Sequence, residues 1–69
     1  MKKILKNMMF YSKNMGKRVD IKHEHRPSER ACYGDVYGLN LLTGRIQVSV
    51  FDYGLRYTRE FDHDMLEAW

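Results

Sequence analysis

The chain has one cysteine, one proline and one tryptophan in 69 residues. A lone Cys32 cannot close an internal disulfide, so the staple of small secreted domains is missing and a reducing, cytoplasmic setting is expected. No apolar run approaches the roughly 20 residues of a membrane-spanning helix. The opening stretch MKKILKNMMFYSKNMG starts as a secretory leader would, with two lysines before apolar residues. Lys6 and Asn7 then cut the apolar run below the roughly 7–15 residues a leader needs, and no A-x-A-like cleavage site follows. Neither a leader nor a membrane partner is expected.

Catalytic and metal-binding patterns are scarce too. No C-x-x-C and no H-x3–5-H spacing occurs, so His23, His25, His63 and Cys32 make a poor zinc set, and no metal or other cofactor is expected. No glycine-rich loop matches a phosphate cradle. Cys32 sits beside Tyr33 in a strand-like stretch without a histidine that must face it, which suits a small apolar residue better than a nucleophile. Chains of this length bury only about 60% of the surface their unfolded state exposes, leaving little material for a deep cleft. An enzyme with a small-molecule substrate is therefore not expected.

What is present is an uneven charge and two clear periodicities. Residues 1–26 carry eight Lys or Arg against two acids, whereas residues 27–69 carry four Arg against seven acids, a basic arm on a mildly acidic body. The lysines of that arm either keep a short segment soluble or attract an anionic partner. Ile4, Leu5, Met8, Met9 and Tyr11 recur at helical spacing, so residues 2–13 read as a basic amphipathic helix in a segment 1–15, stopped by Asn14 and Gly16. Three turns are marginal alone, so the Met-Met-Phe stripe is expected to pack on the body.

From Lys17 the period changes to two, within a body read as residues 16–69. KRVDIKHE alternates Val19, Ile21 and His23 inward with Arg18, Asp20, Lys22 and Glu24 outward, and Pro27 in HRPSER ends it. ACYGDVYG resumes with Val36 inward and Tyr33, Asp35 and Tyr37 outward. Gly44 turns the chain with positive φ into IQVSVF, where Ile46, Val48 and Val50 face inward. DYG turns it again into LRYTREF, with Tyr57 and Phe61 on one side. Asp62 is expected to cap a closing helical turn, HDMLEAW, whose Leu66 and Trp69 cover the open end. The expected fold is all-β, a meander of four to five strands curled into a small barrel to hide its edges, with a short N-terminal helix or arm.

Gly16 with Val19 and Ile21, then Gly34-Asp35-Val36, then Gly44 before Ile46-Gln47-Val48-Ser49-Val50, then Gly54, resemble the strand and corner spacing of a Src-homology-3-like barrel of the KOW or Tudor kind. The resemblance spans about residues 16–66. Loop 23–32 lacks the glycine that KOW sequences usually place there, and segment 1–15 has no counterpart. The resemblance implies a binding module: KOW barrels touch RNA, DNA or RNA polymerase, and Tudor-like barrels bind methylated side chains or act as protein adaptors.

Strand parity places Tyr33 and Tyr37 on one outer face, with Phe51 and Tyr53 ending the neighbouring strand and Arg18, Lys22, Arg45 and Arg56 at the border. Aromatic rings among cations suit nucleic acid, where bases stack and phosphates pair. The same tyrosines also serve a small barrel by covering its corners. The function expected is non-enzymatic binding of DNA, RNA or a protein of the transcription or translation machinery. Its candidate residues are Lys2, Lys3, Lys6, Lys13, Lys17, Arg18, Lys22, Tyr33, Tyr37, Arg45, Phe51, Tyr53 and Arg56. The alternative is a protein-interaction module, a small regulator or inhibitor of a host enzyme from a bacterial or phage gene, with Met8, Met9, Phe10 and Tyr11 as an adaptable patch.

Overall fold

The computed structural model describes residues 2–69, so Met1, the first residue of the expected basic segment, lies outside the described residues. Alternation builds most of the chain. Strands β1 (Arg18–Ile21), β2 (Tyr33–Leu39), β3 (Ile46–Asp52), β4 (Leu55–Phe61) and β5 (Leu66–Ala68) follow the helix α1 (Lys2–Asn14). All pairings are antiparallel, in the order β4-β3-β2-β1-β5, and backbone pairing does not join β4 to β5, so the sheet is unclosed. Val19, Ile21, Val36, Ile46, Val48, Val50, Phe61 and Leu66 fill one face, with Phe10, Tyr11, Leu39, Tyr57 and Met65 packed around them. Each fully buried aliphatic side chain contributes about 1.5–3 kcal/mol, and their number on one face makes the register hard to slip.

Three local expectations give way. The strand expected over residues 17–24 covers only Arg18–Ile21, and residues His23–His25 form a short 3-10 turn with His23 exposed. Arg26 Nε donates to the Ile21 carbonyl at 2.9 Å and the Lys22 amide donates to the Met65 carbonyl at 2.9 Å, pulling the chain out of the β1 line. The closing segment is a 3-10 turn, His63–Met65, followed by a true strand, because β1 has a free edge that β5 can pair with. Asp62 does not cap that turn with its side chain; its carboxylate is engaged elsewhere.

The third difference is how α1 docks. Its buried residues are Asn7 and Asn14, whereas Leu5, Met8 and Met9 stay 61%, 46% and 58% exposed. Asn7, 1% exposed, is the pin. Its Nδ2 donates to the Gly44 carbonyl at 3.0 Å and to Asp62 Oδ1 at 3.0 Å, and its Oδ1 accepts the His63 backbone amide at 2.7 Å and lies 2.9 Å from His63 Nδ1. Every polar atom of this buried amide thus has a partner, which is the condition for burying it cheaply. Gly44 at φ +73 allows the approach, since a Cβ there would stand 2.8 Å from Ile4 Cγ1. Helix to sheet contact is therefore specified by hydrogen bonds, flanked by Phe10 and Tyr11, and not by the methionine stripe.

Candidate nucleic-acid interface

The outward face of the sheet is set by register. Arg18 lies opposite Asp35, Asp35 opposite Ser49, and Ser49 opposite Thr58; one pair along, Asp20 lies opposite Tyr33, Tyr33 opposite Phe51, and Phe51 opposite Arg56. Side chains two residues apart share a face, so these two rows form one surface. On it Tyr33 and Phe51 stack with ring centroids 5.2 Å apart, and Trp69 meets Tyr33 edge-on at 5.4 Å.

Two guanidinium groups cover the rings. Arg18 stands 5.1 Å from the Tyr33 centroid, 5.2 Å from Phe51 and 5.8 Å from Trp69, and Arg56 stands 4.1 Å from Phe51. Asp35 holds both: Arg18 Nε donates to its Oδ1 at 3.0 Å, and Arg56 Nη2 lies 3.6 Å from its Oδ2. The Asp35 hydrogen bond raises the Arg18 pKa further above its ordinary value, outweighing the opposing effect of burial. Both arginines remain open to solvent, and Trp69 is 70% exposed. A planar cation on an aromatic face contributes about 0.5–1 kcal/mol at exposed sites, enough to order these side chains without hiding them.

Hollows flank the stack on both sides. One of about 470 Å³ is lined by Asn14, Lys17, Arg18, Ala68 and Trp69. The other, about 400 Å³, is lined by Asp35, Tyr37, Ser49, Arg56 and Thr58. The surface therefore runs from Lys17 and Trp69 across Arg18, Tyr33 and Phe51 to Arg56 and Tyr37, transverse to the strands.

Of the residues singled out from sequence, Arg18, Tyr33, Phe51 and Arg56 come together, with Lys17 and Tyr37 at the two ends. Tyr37 sits at the register shift between Val36 and Gly38, which separates its ring from the stack. Tyr53 occupies the β3–β4 turn at φ 46 under Arg30, whose guanidinium is 4.0 Å from its ring. Arg45 is not on this face: its Nε lies 3.6 Å from Asp62 Oδ1, on the side where α1 docks. Lys3 also reaches Asp62, at 3.6 Å, and Asp64, at 3.9 Å. Burial alone would raise the Asp62 pKa, but the Asn7 amide, Arg45 and Lys3 together outweigh it and hold the carboxyl below its ordinary value. Lys22 leaves β1 for the 3-10 turn, while Lys2, Lys6 and Lys13 stand on α1 in no ion pair among the described residues.

Sequence reasoning missed Trp69 and Asp35 as members of the cluster. The signal for Trp69 was the run Leu66-Glu67-Ala68-Trp69, whose parity puts Glu67 and Trp69 on opposite faces only if the run is helical; as a strand it places both outward. Among the described residues no group of three or more His, Cys, Asp or Glu is arranged to hold a metal ion, and no helix is long and apolar enough to cross a membrane. Comparison with known proteins gives no matching family model, no matching curated protein and no matching solved structure.

Proposed function

We propose that this chain is a non-enzymatic binding module of the Src-homology-3-like kind and that its outer sheet face takes single-stranded nucleic acid. The order β4-β3-β2-β1-β5, with a 3-10 turn before the last strand, supports the fold reading. One observation carries the ligand: Asp35 fixes Arg18 and Arg56 over the stacked Tyr33 and Phe51 rings, beside an exposed Trp69. Bases stack on rings and on guanidinium planes at about 1–3 kcal/mol each, and phosphates pair with the same arginines. Five strands at about 4.8 Å spacing give a path of roughly 20 Å, which suits the short end, about 4 nucleotides, of single-strand sites on small barrels. Rings and guanidinium groups presented on an open sheet face suit unstacked bases.

Trp69 is the chain's one tryptophan and reports on the site directly. Titration with short single-stranded DNA or RNA quenches its fluorescence, and the affinity falls between about 50 and 200 mM salt with a log-log slope of about 0.7 for each phosphate contacted. Arg56→Glu removes one such contact and makes the slope shallower. No quenching at low salt, or an affinity indifferent to salt, overturns the reading.

A further inference from the structure

A second surface lies on α1, away from the sheet. With Asn7 pinned to the sheet by hydrogen bonds and Asn14 buried on the same side, a rotation of 100° per residue turns Leu5 and Met9 directly outward. Met8 lies on one flank of that stripe, while Lys2, Lys6 and Lys13 all fall on the other. A soluble helix normally spends its apolar stripe on the core; here hydrogen bonds do the docking and leave the stripe uncovered, with Leu5 61% and Met9 58% exposed. We propose that this face docks an acidic amphipathic helix of a partner protein, whose apolar side lies along Leu5, Met8 and Met9 and whose carboxylates meet Lys2, Lys6 and Lys13.

Charge and geometry select that occupant. The sequence of α1, KKILKNMMFYSKN, contains no acid, so a second copy docking through the same helix would set lysines against lysines. A helix that lies in a bilayer turns its polar face to water with cations on it; in α1 the face opposite the stripe is docked on the sheet, and the lysines border the stripe on one side only. A one-sided row of cations beside an apolar row matches an elongated partner with two unlike sides. Unbranched methionines adapt to varied apolar partners at low cost, and three turns, about 20 Å, offer the i, i+3, i+4 anchor pattern of helix recognition. A hollow of about 230 Å³ between Lys6, Met9, Phe10, Lys13 and His63 lies on the lysine flank of the stripe.

The test uses the full chain and a labelled synthetic peptide of about four helical turns, with leucines on one side and glutamates along one flank. Fluorescence anisotropy is expected to show binding tighter than about 100 μM that weakens with salt and is lost when the glutamates are replaced by lysines. Leu5→Glu and Met9→Glu, both at exposed positions, each weaken it at least about tenfold while the Trp69 response to oligonucleotide stays unchanged, so this surface and the sheet face are judged separately. Binding indifferent to Leu5→Glu, no binding at low salt, or preferential binding to phosphatidylserine vesicles overturns the proposal.

Discussion

Asn7→Leu is the sharpest perturbation of the fold. Leucine has the branching of asparagine with greater bulk, so it admits no water, but it cannot replace four polar contacts. The Gly44 carbonyl loses its 3.0 Å donor and the His63 amide its 2.7 Å acceptor, while Asp62 keeps only Lys3 and Arg45. Leaving a buried polar group unsatisfied costs about 1–3 kcal/mol, and two such groups together with a less well partnered carboxylate come to about 3 kcal/mol. A chain of this length has only about 3–10 kcal/mol of stability in total. At about 4–8 °C per kcal/mol the midpoint falls by about 12–24 °C, read by circular dichroism during heating. Met9→Ala, on the same helix but facing solvent, moves stability by no more than about 0.5 kcal/mol. If Asn7→Leu costs less than about 1 kcal/mol, or no more than Met9→Ala, hydrogen bonds do not pin α1 and the account of its docking fails.

Two further outcomes follow from the same structure. Because Asp62 is held below its ordinary pKa when folded, its contribution is whole above the unfolded-state value near pH 4 and fades as pH falls through the lowered folded-state value; urea unfolding across that acid range should show a flatter decline for Asp62→Asn than for the parent chain, and equal slopes would refute the assignment. Gly34→Ala would set a Cβ 2.5 Å from the Ser49 carbonyl oxygen and 2.6 Å from Val48 Cγ1, so β2 and β3 must separate, and a loss of about 1–3 kcal/mol in urea unfolding is expected, with no loss counting against the tight β2–β3 approach.

The strands were legible because a period of two is a local signal: Ile46, Val48 and Val50 were placed inward by parity and are fully buried. The existence of α1 was legible for the same reason, from its period of 3.6. Its orientation was not. Apolar spacing points to Met8 and Met9 as the packed side, whereas the side is chosen by the Gly44 carbonyl, the Asp62 carboxylate and the His63 amide, which lie 37 to 56 residues away and which no local pattern pairs with Asn7. The candidate site divides similarly. Arg18, Tyr33, Phe51 and Arg56 fall on one face by parity along four successive strands. Trp69 joins them only through the pairing of β1 with β5, a long-range choice made when β1 needs a second neighbour.

The asparagine pin and the β1–β5 ladder also set the order in which this molecule can assemble. The helix is synthesised first, yet three of its anchoring partners and the outermost strand come from residues 44 to 68. A growing chain made at about 5–20 residues per second therefore holds α1 and one side of β1 without their mates for seconds, and both find them in the same final step. Contacts so distant in sequence make for slow, all-or-none closure, in which α1 and β5 become structured together.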